Sequence, residues 1–289
     1  FVKLVSYQLA EAILYGVVDE KAGRVIPVKG DIAVRYPSIR ALLEAEAIAE
    51  LGAWVAGCDP TLALDELDYV PPLWDANRVI CIGVNYPKRH PVEGNIPPPE
   101  YISVFNKFEG SVVGHQKPLV QPPAPMSQTM DYEGELVLVI GRGGRFVPKE
   151  KAFEHIAGYT IMNDGSVRDW QKHSVSAGKN FARMSSCGPW MVTADEIADP
   201  FAMRLSTRLN GKEVQSAVVG DMIFDIPTII NYLSGFLNLM PGDIISTGSP
   251  EGSGGSREPQ RFLLPSDKLE IEWSGIGVLT NNVISAAEL

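Results

Sequence analysis

Two glutamates, Glu133 and Glu135, stand immediately before the apolar run of residues 136–140. Side chains alternate between faces along a strand, so both carboxylates are predicted to project to the same side. Carboxylates this close repel each other unless a cation lies between them or one takes up a proton. A hard divalent ion bound through oxygens fits the pair. The alternative is a solvated strand face with two exposed acids, which this segment alone favours.

A second acidic segment covers residues 163–171. Asp164 falls where a predicted strand passes into a helical turn expected after Gly165, and an inward-facing carboxylate there would be a third metal ligand. Arg168 and Gln171 are expected on one face of that turn. The alternative is that Asp164 caps the helix and Arg168 forms a surface ion pair.

His90 and Glu93 lie in a segment, residues 87–100, that holds five prolines. Side chains three positions apart meet within one helical turn. A carboxylate beside an imidazole raises its basicity, and such a pair can take a proton from water. Pro91 fits best as the first helical residue, with His90 just outside. We expect a loop that closes over a ligand; the alternative is a loop histidine in water.

Two further segments carry groups suited to an anion. Lys179 follows a glycine, and residues 247–250 end a predicted strand with the hydroxyls of Thr247 and Ser249 on either side of Gly248. That shape can hold a small anion. An ordinary surface lysine and a plain turn are the alternatives.

Composition excludes several classes of partner. The 289 residues include 35 acids and 25 bases, a net charge of −10. Nucleic acids and anionic membrane surfaces attract basic patches, so neither is an expected partner. No apolar run reaches the roughly 20 residues that span a bilayer, and the first residues lack a signal-peptide cleavage pattern. We therefore expect a cytoplasmic protein with reduced thiols.

The order of the predicted elements indicates a β-rich α+β protein. Residues 1–70 are predicted to form a small α/β module, with strands in 2–14 and 25–34 and a helix from Ile39 to Trp54. Pro71 and Pro72 connect it to a catalytic domain over 71–289. In that domain we expect strands in 79–84, 133–141, 158–163, 243–247 and 269–279, helices in 150–156 and 226–237, and a type I′ hairpin at Asn210-Gly211.

Together these segments resemble the fumarylacetoacetate hydrolase family in its bacterial two-domain branch, over residues 77–284. The resemblance rests on short motifs that occur in the family's order: Gly83-Val-Asn-Tyr86, His90-x-x-Glu93, Asp131-Tyr-Glu-x-Glu-Leu136, Gly158-Tyr-Thr-x-x-Asn-Asp164, Arg168-Asp-x-Gln171, Gly188-Pro-Trp190, Asn210-Gly211, Pro241-Gly-Asp243 and Thr247-Gly248-Ser249-Pro250.

The resemblance implies a rolled mixed β-sandwich with the small N-terminal module beside it, and a homodimer. It implies that Mg²⁺ or Mn²⁺, which Ca²⁺ can replace in a crystal, is the cofactor and stabilises an enolate as a Lewis acid. The implied site residues are the metal ligands Glu133, Glu135 and Asp164, the catalytic His90, Glu93 and Lys179, and the substrate contacts Tyr86, Arg168, Gln171, Thr247 and Ser249.

The activity implied first is hydrolysis of a C–C bond in an acylpyruvate-type β-diketo acid, a small anionic substrate from aromatic-compound catabolism. The alternative keeps the metal-bound enolate but makes the enzyme an isomerase, decarboxylase, hydratase or dehydratase of a related 2-keto or 2-hydroxy-enoic acid. A third alternative is a sensor that binds metal and keto acid without turnover.

Some positions depart from the family pattern. His90 follows Asn85 by five residues instead of four, and Ser249 stands where the family has threonine. The segment 251–256 differs from the usual Gly-Val-Gly pattern, and Ser266 replaces a glycine before Asp267. None of these changes removes a proposed metal ligand.

Overall fold

The computed structural model describes residues 2–90 and 94–289, with side chains outside 89–96. Glu93 therefore lies outside the described residues, and His90 is described only as the last residue of a strand. The fold is a mixed, sheet-rich α+β architecture, which confirms the predicted fold class.

The N-terminal part begins with a β-hairpin and continues into three short helices, where Ser38 Oγ accepts a hydrogen bond from Ala41 N at 3.2 Å and so caps the second helix. The predicted strand over 25–34 is correct only in its first part, because Gly30 adopts a φ of 72° and a helix follows it. The elements are β1 (Lys3–Leu9), β2 (Ala12–Asp19), β3 (Arg24–Pro27), α1 (Asp31–Arg35), α2 (Ile39–Glu44), α3 (Ile48–Val55), β4 (Leu62–Ala63) and β5 (Asp68–Tyr69).

The remaining strands carry most of the chain. They are β6 (Val79–Ile82), β7 (Lys88–His90), β8 (Gly94–Ile96), β9 (Val104–Asn106), β10 (Val112–Val113), β11 (Leu119–Gln121), β12 (Met130–Asp131), β13 (Gly134–Ile140), β14 (Ile156–Asn163), β15 (Ser166–Val167), β16 (Ser185–Thr193), β17 (Arg204–Leu209), β18 (Lys212–Val218), β19 (Ile244–Ser246), β20 (Lys268–Trp273) and β21 (Gly277–Ser285).

Two further α-helices and several 3₁₀ turns connect these strands. The α-helices are α4 (Val175–Lys179) and α5 (Ile226–Phe236), and the 3₁₀ segments are Leu64–Glu66, Lys149–His155, Trp170–Lys172, Ala194–Glu196, Pro200–Ala202, Val219–Asp221, Gly254–Ser256 and Ala286–Glu288.

Most strands pair into two sheets. Within the described residues the larger sheet runs in the order β4-β3-β2-β1-β16-β14-β13-β19-β6-β9, with β5 and β10 paired at its side. The smaller sheet runs β11-β21-β20-β17-β18. β19 pairs in parallel with β6 but antiparallel with β13, so the larger sheet is mixed.

Strand β13 is buried on both faces. Leu136 and Leu138 belong to the core between the two sheets, whereas Val137 and Val139 face a second core that contains Leu42 of α2. This double burial explains why the sequence after Glu135 is continuously apolar instead of alternating.

Four other local predictions differ from the structure. The predicted helix from Ile39 to Trp54 divides into α2 and α3, and Glu46 between them has a φ of 53°. Residues 149–155 form a 3₁₀ helix instead of an α-helix, and the predicted loop over 87–100 contains the paired strands β7 and β8. The helical turn predicted after Gly165 is wrong, because residues 166–167 pair with β12 and the helical turn starts only at Trp170. The type I′ hairpin is confirmed, since Asn210 and Gly211 both have positive φ.

The N-terminal strands continue the larger sheet, since β1 pairs antiparallel with β16 through Lys3–Val192 and Leu4–Met191. The division of the chain at residue 70 stays a proposal. No helix among residues 2–90 and 94–289 has the length and apolar character needed to cross a membrane.

His115 fastens the N-terminal part to the smaller sheet. Its Nδ1 accepts a hydrogen bond from Thr280 N at 3.0 Å, and its ring meets the Tyr69 ring edge-on at 4.7 Å. Burial lowers the pKa of His115 to about 4. The imidazole is therefore neutral in the folded protein near neutral pH.

We predict that His115 makes the protein less stable in mild acid. An unfolded histidine titrates near 6.5, so between about pH 6.5 and 4 the unfolded chain binds a proton that the folded chain excludes. This contribution to stability is complete above about pH 6.5 and falls by about 3 kcal/mol toward pH 4. Urea unfolding across this range measures it. His115→Asn, which keeps an acceptor, should flatten the curve; parallel curves would contradict the prediction.

Candidate metal centre

Three carboxylates meet at one end of the larger sheet. One oxygen from each of Glu133, Glu135 and Asp164 lies within 4.8 Å of the other two. The pairing of β13 with β14 brings them together, because Gly134 lies opposite Asn163 and Asp164 N donates to Glu133 O at 2.8 Å. The predicted triad is thus assembled in space, although Asp164 lies 31 positions after Glu133 and 29 after Glu135 in the sequence.

Glu135 is held by donors from the segment that follows β19. Its Oε2 accepts hydrogen bonds from Ser246 Oγ at 2.5 Å and from Gly248 N at 3.0 Å. Gly248 has a φ of 98°, and a Cβ there would lie 2.6 Å from Cβ of Asn85. Burial, together with the Asp164 and Glu133 carboxylates, raises the pKa of Glu135 well above its usual range.

Glu133 lies between two cations that enter from the other side. Lys179 Nζ donates to Glu133 Oε2 and to Asp164 Oδ2, the latter at 2.7 Å. Arg168 Nη2 lies 2.8 Å from Glu133 Oε1. Burial favours the neutral acid, but Lys179 and Arg168 outweigh it and hold the pKa of Glu133 below its usual range. Glu133 is therefore ionised, as a metal ligand must be.

Sequence reasoning missed Lys107, which is the most deeply buried cation of the site. Its side chain is 0% exposed, and Nζ lies 2.5 Å from Asp164 Oδ1. The same ammonium donates to Gly165 O at 3.1 Å and to Lys179 O at 2.6 Å. A single lysine after a short strand carries no distinctive signal, because its partners lie 57 and more positions away in the chain.

Asp131 is the second residue that sequence reasoning left without a role. It is fully buried and accepts hydrogen bonds from Arg168 Nε at 2.7 Å, Gly254 N at 2.7 Å and Gly255 N at 2.8 Å. Asp131 thereby joins the glycine-rich segment to the guanidinium beside Glu133. Its position two residues before Glu133 is a signal that could have placed it near the triad.

These residues fit a hard divalent cation. All three candidate ligands offer carboxylate oxygens, which Mg²⁺, Mn²⁺ and Ca²⁺ prefer. Two of the three, Glu135 and Asp164, are almost completely buried, and uncompensated carboxylates are costly in such a place. The triad can therefore hold a metal ion.

A cavity of about 260 Å³ opens above the triad. Arg168, Gln171, Lys179 and Ser249 line it, so four of the predicted catalytic and substrate-contact residues share one space with the carboxylates. The cavity also has apolar walls, formed by Ile82, Val84, Phe105 and Val175.

Two predicted substrate contacts lie elsewhere in the described structure. Thr247 is fully buried and its Oγ1 donates to Leu136 O at 2.8 Å, so this hydroxyl secures the strand end. Tyr86 is 2% exposed and lines a neighbouring, largely apolar cavity with Pro87 and Ile223. The His90–Glu93 pair lies outside the described side chains.

A sheet-rich fold that presents an acidic triad in a cavity is typical of an enzyme site that can hold a metal ion. The chain matches the family model "Fumarylacetoacetate (FAA) hydrolase C-terminal" over residues 78–284. It therefore belongs to the fumarylacetoacetate hydrolase family, and the predicted resemblance is confirmed.

Named relatives include both tautomerases and a hydrolase. The oxaloacetate tautomerase FAHD2A of Bos taurus is 37% identical over 78% of this chain and 72% of its own length. The oxaloacetate tautomerase YisK of Bacillus subtilis is 39% identical over 72% and 70%. A solved structure of a fumarylacetoacetate hydrolase from Exiguobacterium antarcticum is 30% identical, with a TM-score of 0.78 over 99% and 100% of the two chains.

We predict that Lys107→Met strongly destabilises the metal-free protein. The substitution keeps the length of the side chain but removes the cation from a buried ion pair, which costs about 3 kcal/mol or more. Urea denaturation after chelation of metal measures the change. Lys268→Met is the matched control, because Lys268 is 51% exposed and pairs with Glu270 at the surface. Equal, small losses in both variants would contradict a structural role for the buried ammonium.

Proposed function

We propose that this protein enolises a small 2-keto acid at a divalent metal held by Glu133, Glu135 and Asp164. The observation that carries the proposal is the buried, oxygen-only triad on the floor of a cavity that also presents cations. Such an arrangement suits a ligand that carries both a carboxylate and a keto oxygen. When bound, the metal supplies Lewis acidity toward the keto group.

The chain's own residues prepare the site for this chemistry. Ser246 and Gly248 fix the orientation of the Glu135 carboxylate, and Arg168 does the same for Glu133. We propose that Lys179, whose ammonium lies between Glu133 and Asp164, stabilises the negative charge that develops on the substrate oxygen. Ser249 and Gln171 are the proposed neutral contacts.

Keto–enol tautomerisation is the reaction we place first. In it a proton leaves the carbon next to the keto group, the C–C bond becomes double, the C=O bond becomes single and the oxygen takes up a proton, or the reverse; C–H and O–H are the only bonds made or broken completely. The two relatives at 37% and 39% identity, both named oxaloacetate tautomerases, support this choice. His90 and Glu93 are the proposed proton-transfer pair.

Hydrolysis of a C–C bond in an acylpyruvate is the second candidate. It is the activity that the family resemblance of the sequence implies first. The relative named fumarylacetoacetate hydrolase favours it. Here His90 and Glu93 would activate water for attack on the distal carbonyl, and the bond to the enolate carbon would break. Both reactions need the same enolate, so the triad alone does not separate them.

We predict that Glu135→Gln lowers the affinity for Mn²⁺ by about 100-fold or more. Losing an outer-sphere partner of a metal ligand already costs 10–100-fold in comparable sites, and this substitution removes a ligand charge. Isothermal titration calorimetry with Mn²⁺ provides the measurement. Glu272→Gln, at a surface pair with Arg208, should leave the affinity unchanged. Unaltered Mn²⁺ binding by Glu135→Gln would exclude this residue as a ligand.

We further expect the Mg²⁺-loaded protein to accelerate the loss of the enol absorbance of oxaloacetate. Removal of Mg²⁺ by a chelator should abolish this acceleration. A panel of acylpyruvates assayed for pyruvate release tests hydrolysis in parallel. His90→Ala should slow either reaction, and the product separates the candidates: hydrolysis of an acylpyruvate releases pyruvate, whereas a tautomerase leaves the C–C bond intact. If neither oxaloacetate nor any acylpyruvate is converted, the proposed function is wrong.

The remaining predictions about the whole molecule stay proposals. They are a homodimer, a cytoplasmic location and a small N-terminal module that ends near residue 70. Light scattering during size-exclusion chromatography checks the first of them directly.

A further inference from the structure

The cations around the triad differ in what they already contact. Arg168 is engaged by the carboxylates of Asp131 and Glu133. Lys107 and Lys179 are both engaged by Asp164. The charge of each of these three groups is therefore balanced by acidic residues of the protein. An anionic ligand needs a cation that is not already neutralised.

Lys88 is such a cation. It forms no ion pair with any acid in residues 2–90 and 94–289, although its side chain is only partly exposed. It lines the same cavity as the triad. Lys88 thus faces the site without being held by it.

Lys88 also lines a second cavity, which adjoins the first. This side pocket has a volume of about 280 Å³, and Lys88 and Arg168 belong to the walls of both spaces. Its other walls are mostly small or polar: Ser253, Gly255, Ser256, Gln260 and Phe262.

Part of the side-pocket wall is held in a fixed position, because Asp131 accepts hydrogen bonds from the backbone amides of Gly254 and Gly255. A Cβ at Gly254 would lie 2.0 Å from Arg261 O, so the close approach of these two segments requires glycine. This is the stretch, residues 251–256, in which the sequence departs from the common family pattern.

The charges of the described groups indicate what the two cavities accept together. Among the described residues, Asp131, Glu133 and Asp164 pair with Lys107, Arg168 and Lys179, which leaves Lys88 as the cation of the two cavities without an acidic partner. A 2-keto monocarboxylate has its one carboxylate beside the keto group at the triad, whereas a 2-keto dicarboxylate offers a second carboxylate with which Lys88 can form a charge-assisted hydrogen bond.

We propose that Lys88 determines specificity among 2-keto acids, because it binds the second carboxylate of a 2-keto dicarboxylate. The keto end lies over the triad, and the far carboxylate lies at Lys88, where the main cavity meets the side pocket. This inference rests on the proposed function, because it needs the keto acid to be oriented by the triad.

Two substrates test the inference by their kinetics: oxaloacetate carries a carboxylate on C3, and 2-oxobutyrate carries a methyl group there. A hydrogen bond from a charged group predicts that Lys88→Met lowers kcat/KM for oxaloacetate by about 10–100-fold. Proton exchange at C3 of 2-oxobutyrate in D₂O, followed by NMR, should change less than about twofold. Lys88→Arg should recover most of the oxaloacetate activity, and Lys149→Met, at an exposed lysine, should match the unmodified protein.

The outcomes separate this inference from the proposed function. If Lys88→Met lowers the activity equally toward both substrates, or toward neither, Lys88 does not bind the second carboxylate. The proposed enolisation is unaffected by that result. If the unmodified protein converts neither substrate, the proposed function fails, and calorimetry of the Mn²⁺-loaded protein with 2-oxoglutarate and 2-oxobutyrate decides. Selective loss of 2-oxoglutarate binding in Lys88→Met then supports the inference; equal binding in both proteins, or no binding of either acid, overturns it.

Discussion

Repulsion among three carboxylates is the constraint around which the site is organised. Glu133, Glu135 and Asp164 converge within 4.8 Å where water has little access, so their charge must be balanced by nearby groups. Ammonium and guanidinium groups on different elements balance this charge, and each contacts a different carboxylate oxygen. The cations near the triad thus fix its carboxylates in place.

The sheet supplies the precision that such a balance requires. β13 is packed on both faces and paired on both edges, so the carboxylate of Glu135 can hardly shift relative to its neighbours. The groups that face the ligand from the other side come from loops and short turns. A rigid strand that carries the triad and loops that can vary around it fit a family whose members bear different names, such as oxaloacetate tautomerase and fumarylacetoacetate hydrolase.

Much of this arrangement could be read from the sequence, because it depends on local patterns. Alternation along one strand placed Glu133 and Glu135 on the same side, and Asn210-Gly211 specified its turn. Lys107 and Asp131 could not be assigned in this way, since their roles depend on partners that only the tertiary fold brings near. The turn after Gly165 was mispredicted for the same reason: residues 166–167 pair with β12, a contact that no local propensity reveals.

The pairing of β1 with β16 has a consequence for the catalytic half of the chain. The family match begins at residue 78, after all five N-terminal strands and the helices that cover Val137 and Val139. A chain cut at that point would present β16 as an unprotected sheet edge beside a bare apolar surface, the combination that promotes aggregation. The N-terminal segment therefore covers an edge and an apolar face of the sheet that carries the carboxylate triad, and this cover opposes aggregation.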